Sequence, residues 1–437
     1  MKSTKKWASL ILCVAMILSL AGCGGAGSQS AGADPAVSSE PKETSIAGTS
    51  IEITTQLEGA ALTSLKEVVA SFEQDTGAEV VLTEYPKADY EAALKTRMAA
   101  NELPDVLETH GWSRLRYSEY LMPVNNEPWY NNQNDLAKGI LEGNGGTAYA
   151  LMLTSNVIGI FCNKTAADAA GVDVYSIETL EDFTDACQKI INAGLVPMVN
   201  HASAGDLTHV AGVFTTYEDS IASDMDAQLA GTWDWESFMG ELEYFSNLID
   251  MGAYWTDRST MDSTMEVERI ASGKSVFYFG NSTNYCGACE EINPDNEYVV
   301  IPFPAAKKGG TRYIAGGESA AYGIWKDSKQ MDTARAWLEY LAVNGGPIAQ
   351  DFGGIPAISS ITVEETSPIK AAAAVMERYP DAVYVNIWDR EYMPSGMWGT
   401  FGEAVGMLYA DNSPENLVAI KDFLKTNYDE KYAAAQS

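Results

Sequence analysis

The sequence predicts an α/β protein of two lobes, each a βα sheet with flanking helices, with a ligand cleft at the hinge. Three observations lead there. From Ile51 onward, short apolar segments alternate with segments whose apolar residues recur at helical spacing, the grammar of βαβ units. The stretch Ala148 to Lys164, AYALMLTSNVIGIFCNK, is strand-like at both ends but carries the polar triplet Thr154-Ser155-Asn156 in its middle. A buried strand holds such a triplet only where hydrogen bonds or a change of direction are needed. It therefore reads as a crossing between lobes with the triplet facing the cleft, the alternative being a core strand with a polar bulge. Finally, residues 51–437 are too many for one ordinary core and suit two lobes of roughly 150 to 200 residues each.

Residues 1–22 read as a signal peptide. A basic start with Lys2, Lys5 and Lys6 precedes an apolar run, Trp7 to Leu20, shorter than the roughly 20 residues a bilayer needs. The closing Leu20-Ala21-Gly22-Cys23 resembles the lipobox of bacterial lipoproteins, which implies lipidation of Cys23 and an anchor at a membrane surface. An ordinary signal peptide cut nearby is the alternative. Residues 23–50, which begin with the lipid site, are almost devoid of large apolar side chains and read as a flexible tether.

Past the tether the elements come in order. IEITTQL is strand-like; Leu62, Leu65, Val68, Val69 and Phe72 mark a helix that Gly77 ends; Ala78 to Glu84 is a strand again. A helix over Ala88 to Ala100 and a strand beginning at Pro104 complete a βαβαβ run, which predicts a parallel sheet. Beyond the crossing, Thr179 and Asp182 resemble a capping box opening a helix through Ile191, with Leu195 to Val199 a strand. Ser275 to Phe279 is a strand running into the polar loop Gly280 to Asn284, and Tyr298 to Pro302 is another. Gly316-Gly317 before Tyr322 to Trp325 suits a tight turn or a second hinge. Helices close the chain at Met331 to Ala342, Ile369 to Arg378, Phe401 to Tyr409 and Pro414 to Tyr432. With a third crossing just past Ile358, lobe 1 spans 51–155 and 316–360, and lobe 2 spans 156–315 and 361–437.

The formal charge of -32 disfavours nucleic acid, since so acidic a chain repels phosphate unless it carries a basic patch, and none is present. Leaving aside Cys13 and Cys23, the cysteines are Cys162, Cys187 and the Cys286-Gly-Ala-Cys289 pair. With no second C-x-x-C or nearby His to complete a metal site, that pair reads as a local disulfide or two idle thiols. No catalytic, metal or cofactor site is expected.

In their order and spacing, FEQDTGAEV, LPDVLETHG, the crossing, GVDVYSIETLEDFTDACQKIINAGLVPM, ASGKSVFYFGN, EYVVIPFP, AGGESAAYGIW and MPSGMWGTFGEAV resemble the extracellular solute-binding proteins of ABC importers. The branch is the carbohydrate-binding one that includes maltose-binding protein. The resemblance runs from about residue 51 to the C-terminus. It implies a two-lobed, type II periplasmic-binding-protein-like fold, a small-molecule carbohydrate held in the cleft, and delivery to ABC permease subunits by a monomer that meets the membrane only through its lipid. Family members often carry Pro after the Tyr-Ala of the crossing and Tyr before its Asn-Lys, where this chain has Leu151-Met152 and Cys162. Carried over by position, the ligand contacts are Glu58, His110, Trp112, Asn156, Asp206, Asn281, Glu318 and Trp398.

Those residue types fit a sugar, whose C–H faces stack on aromatic rings while each buried hydroxyl needs hydrogen-bond partners. Trp398, among glycines and short polar residues, is the stacking candidate, with packing between helices as its alternative; Trp112 reads equally as site or core. Glu58, Asp206 and Glu318 are candidate hydroxyl acceptors, and Asn156 and Asn281 partners in both directions. His110 is either a ligand contact or a structural histidine. Carboxylates around a sugar also occur in glycosidases, so a secreted sugar-acting hydrolase is the alternative from another class. A binding protein serving a sensor rather than a permease is a third.

Overall fold

The computed structural model describes residues 45–109, 117–143, 146–202, 207, 224–280 and 282–435. The first lobe opens with Ser50–Thr55 (β1), Gly59–Thr76 (α1), Glu79–Glu84 (β2), Lys87–Ala100 (α2) and Val106–Thr109 (β3). Leu65, Val68, Val69 and Phe72 turn one face of α1 inward, and Gly77, at φ 72°, ends the helix by donating its N–H to the Glu73 carbonyl. A side chain at that φ would be strained, which is why glycine closes the helix. Asp135–Glu142 (α3), capped by the Asn134 side chain, leads to Leu151–Ser155 (β4).

The second lobe begins with Gly159–Asn163 (β5), Lys164–Ala169 (α4) and Leu180–Asn192 (α5). The α5 capping box is present in full, with Thr179 and Asp182 each accepting from the other's backbone N–H. Next come Val196–Met198 (β6), Asp224–Ala230 (α6), Met239–Asp250 (α7), Ser263–Ala271 (α8), Ser275–Gly280 (β7), Ser282–Ile292 (α9) and Tyr298–Ile301 (β8). Tyr313–Gly316 (β9) then hands the chain to Glu318–Ile324 (β10), Met331–Asn344 (α10), Gly346–Phe352 (α11) and Ile355–Pro356 (β11). The closing elements are Ser367–Arg378 (α12), Val383–Asn386 (β12), Trp388–Tyr392 (α13), Met397–Ala410 (α14) and Pro414–Ala435 (α15).

Among the described residues, one sheet has the order β11-β4-β10-β3-β1-β2, a second β6-β7-β5-β8, and β9 pairs with β12. Each larger sheet carries its own core. The first gathers Leu65, Phe72, Leu151, Ile324 and Leu341 around the fully buried Trp337, whose ring meets Phe72 edge-on at 5.2 Å. The second gathers Phe161, Phe183, Phe277, Trp388 and Phe401, and α15 joins it through Leu417, Ile420 and Leu424. Truncating such large buried rings costs about 3 to 5 kcal/mol.

Three expectations change. The first sheet is mixed, not wholly parallel: β1, β2 and β3 are parallel, but β10 runs antiparallel to both β3 and β4. β10 re-enters directly from β9 at the end where β4 leaves, so it points the opposite way without a helical crossover, and β11, reached through α10 and α11, also runs antiparallel to β4. The polar triplet is also divided. Thr154 and Ser155 complete β4 and are buried, paired with Pro356 and Ile355, and only Asn156 is partly exposed. Lastly, the polar stretch after β7 does not remain a loop, since α9 begins at Ser282. Cys286 and Cys289 lie on α9 as free, buried thiols pushed up to about 12 by desolvation.

Candidate functional site

The crossings lie side by side. The Asn156 N–H donates to the Gly317 carbonyl at 3.0 Å, and the Gly317 N–H returns a bond to Asn156 Oδ1 at 2.9 Å. Two residues further on, Ile158 and Ala315 exchange backbone bonds of 2.7 and 2.9 Å. β12 then runs parallel to β9, and the Tyr384 hydroxyl reaches the Asn156 carbonyl at 2.7 Å. Gly316 is required here for space, because a Cβ would stand 2.0 Å from the Tyr384 hydroxyl and 2.4 Å from the Asn156 oxygen. A cavity of about 560 Å³ opens beside this crossing, between α3 and β12, with Leu136, Ile140, Tyr384 and Asn386 in its wall.

In the first lobe, the carboxyl ends of β1 and β3 are joined by the buried Glu108 carboxylate. It accepts from the Thr55 hydroxyl and, at 2.8 Å, from the Gln56 N–H. The Tyr90 hydroxyl donates to the Glu108 carbonyl at 2.6 Å, and the Tyr322 hydroxyl stands 3.3 Å from Thr55 Oγ1. Burial and the neighbouring carboxylate push both phenols up, so they stay neutral donors. This network fixes the turn in which Glu58 stands exposed as the residue before α1, making no side-chain cap bond.

In the second lobe, Asn200 ties the end of β6 to β7. Its amide donates to the Phe279 carbonyl at 2.6 Å and its oxygen accepts from the Phe279 N–H at 3.0 Å. His201 is next, with its backbone N–H 2.6 Å and its Nδ1 2.7 Å from Glu266 Oε1. Glu266, fully buried on α8, also accepts from the Tyr285 hydroxyl at 2.6 Å. Burial first, then Tyr278 and Glu266, push the Tyr285 phenol up.

Trp398 sits in the first turn of α14, whose leading Gly396 has φ 93°. It is half-buried against the second core, and the Arg390 guanidinium lies over its ring at 5.0 Å. Of the other residues singled out by sequence, Glu318 opens β10 opposite Ser155, which brings its backbone next to Asn156 at the crossing. His110, Trp112, Asp206 and Asn281 lie outside the described residues. Asn156 itself is part of the hinge pairing.

The family model described as bacterial extracellular solute-binding protein matches residues 58–346. The chain belongs to that family. A melibiose/raffinose/stachyose-binding protein, MelE, of Bacillus subtilis (strain 168) is 26% identical over 360 residues, covering 80% of this chain and 82% of that protein. Among solved structures, the binding protein msme of Bacillus subtilis in an open conformation superposes with a TM-score of 0.80 at 23% identity, covering 89% of this chain and 99% of that one. A sugar transporter of Bacillus licheniformis in complex with stachyose superposes at 0.71 and 23% identity, covering 87% and 100%. These likenesses carry the type II periplasmic-binding-protein-like fold, in which two lobes are joined by neighbouring crossings.

As an extracellular solute-binding protein, the chain works outside the cytoplasm, and its relatives are binding proteins rather than enzymes. Among the described residues no helix is long and apolar enough to cross a membrane. Sequence reasoning missed Glu108, Tyr384, Asn200 and Glu266 in this solute-binding protein. For Glu108 and Asn200 a signal was present, a polar residue at the end of an apolar strand, VLE and LVPMVN. Tyr384 and Glu266 carry no such local mark.

Proposed function

We propose that this chain captures a carbohydrate between its two lobes and delivers it chemically intact to the permease subunits of an ABC importer. The observation that supports this reading is the adjacency of the crossings at Asn156 and Gly317, braced by Tyr384, between two sheets that each carry their own core. Carbohydrate is the solute class because the curated relative is named for melibiose, raffinose and stachyose and a structural neighbour holds stachyose.

In this reading lobe 1 comprises 51–155 and 316–360, and lobe 2 comprises 156–315 and 361–437. Glu58, His110, Asp206, Asn281 and Glu318 serve the hydroxyls, while Trp112 and Trp398 stack on C–H faces. Asn156 offers its amide N–H groups, its oxygen being engaged by Gly317. The mature chain is a monomer anchored by a lipid on Cys23.

A thermal-shift screen with melibiose, raffinose and stachyose tests the solute class, since a sugar at 100 times its Kd adds about 2.7 kcal/mol to stability. Chromatography of the recovered sugar should show it unaltered, and steady appearance of hydrolysis products would overturn the binding reading. Solution scattering should show a smaller radius of gyration with sugar, because only a ligand that touches both lobes favours the closed form. Cys23→Ala should release the protein from the membrane fraction, and an unchanged fraction would refute the anchor.

A further inference from the structure

We infer that His201 selects for a hydroxyl on the bound solute by presenting the acceptor Nε2 of its imidazole, and that the buried Glu266 is the residue that positions it. The inference rests on the carbohydrate reading above and deepens it. It gives a hydrogen-bond role to a residue not among the contacts named there, and says which group on the sugar that residue takes.

The strands put His201 at the end of the second sheet that meets the crossing. β6 and β7 run parallel, and Asn200, just past β6, is bonded to Phe279 near the end of β7. Gly280, the last residue of β7, pairs with Gly159 at the start of β5. Ile158, one residue earlier, exchanges backbone bonds with Ala315 at the crossing. Ligands of open α/β sheets sit beyond the carboxyl ends of the strands, which is where the chain carries His201.

Glu266 fixes which nitrogen does what. Its side chain is fully buried, and three donors converge on it: the His201 backbone N–H at 2.6 Å and Nδ1 at 2.7 Å on Oε1, and the Tyr285 hydroxyl at 2.6 Å on Oε2. Tyr285 stays a donor, since burial, then Tyr278 and Glu266, push its phenol up. An ionised carboxylate only accepts, so the network assigns a proton to Nδ1. In the neutral imidazole the lone pair then lies on Nε2, across the ring. The His201 side chain is 31% exposed although its Nδ1 is held against a buried group, so the accessible part of the ring is the side that carries Nε2. A plain tie between α8 and the end of β6 uses only the Nδ1–H, which lets the two nitrogens be tested apart.

In His201→Asn the side-chain amide can still donate to Glu266, but nothing stands where Nε2 was. Isothermal titration of the full chain with melibiose, raffinose and stachyose should show affinity about tenfold weaker in His201→Asn than in the wild type, with apo melting little changed. The chain has three histidines, His110, His201 and His209, so nitrogen spectra of protein labelled at histidine are simple to assign. The His201 signals should show a proton on Nδ1, none on Nε2, and a shift of the Nε2 resonance when sugar is added. Glu266→Gln, which can offer an N–H in place of an oxygen, should spread the proton over both nitrogens and weaken binding severalfold; a wild-type spectrum and affinity in that variant would remove Glu266 from the positioning role. Unchanged affinity in His201→Asn, a proton on Nε2 in the wild type, or an Nε2 resonance that saturating sugar leaves in place overturns the role of His201 and leaves the carbohydrate reading intact. If His201→Asn does not fold, the wild-type spectra decide, assigned through His110 and His209 variants. Failure of all three sugars to bind the wild type overturns both.

Discussion

The hydroxyl of Tyr384 donates to the carbonyl of Asn156 at 2.7 Å, joining residues 228 apart in the chain at the crossing between the lobes. Tyr384 also packs against both cores, so this contact ties the position of β12 to the crossing itself. Removing the hydroxyl in Tyr384→Phe leaves the ring in place and the carbonyl short of one donor. A loss of about 1 kcal/mol is expected in urea unfolding. The sugar-induced change in radius of gyration should alter as well. Identical unfolding and scattering in the two proteins would mean that the bond does not brace the hinge.

Gly316 leaves no room for a Cβ beside that bond. Gly316→Ala must move either the Tyr384 ring or the Asn156 backbone, and overpacking of this kind costs about 1 to 3 kcal/mol. Combining it with Tyr384→Phe should relieve the 2.0 Å clash but leave the 2.4 Å approach to the Asn156 carbonyl and the 2.7 Å approach to the ring carbon that bore the hydroxyl, so the double variant should be less destabilised than the sum of the singles. Strict additivity in a double-mutant cycle would show that the strain lies elsewhere.

Glu52 and Arg97 form a two-toothed ion pair with both bonds at 2.6 Å, and the arginine holds the Glu52 carboxyl below the ordinary range. A depressed folded-state pKa means that the stabilisation is present at neutral pH. It declines as pH falls below about 4.3 toward the folded value and is lost beneath it. With side chains 24% and 31% exposed, the pair is screened and contributes at most about 1 kcal/mol. Denaturant midpoints of the wild type and Glu52→Gln should therefore differ at pH 7 and draw together as pH falls below about 4.3. A gap that does not narrow as the pH is lowered would assign the effect to packing.

Trp398 separates binding from packing. Half-buried on α14 with Arg390 over its ring, it has less to lose from the core than Trp337 or Trp388, which are almost fully buried. Trp398→Ala should weaken sugar binding by about 2 kcal/mol, as loss of an aromatic anchor does, with a smaller loss of apo stability. A loss of apo stability in the range of about 3 to 5 kcal/mol with unaltered affinity would make it a packing residue.

The features that the sequence alone determined are those that depend on near neighbours. The helical spacing of Leu65, Val68, Val69 and Phe72, the stop at Gly77 and the reciprocal cap of Thr179 with Asp182 each involve residues within a turn or two, so composition and spacing suffice to place them. The break at Thr154 to Asn156 was legible for the same reason, as a polar interruption in an apolar run. Its meaning was not. That Thr154 and Ser155 are buried while Asn156 faces Gly317 is a result of β10 and β11 returning antiparallel to β4, and those partners are more than 160 residues away. The same holds for Tyr384 on Asn156, for Trp388 holding the Gln228 amide, and for Glu266 beneath His201. A side chain's hydrogen-bond partner is chosen by which surfaces the two cores bring together, and no local pattern encodes that choice; only the packed tertiary structure decides it.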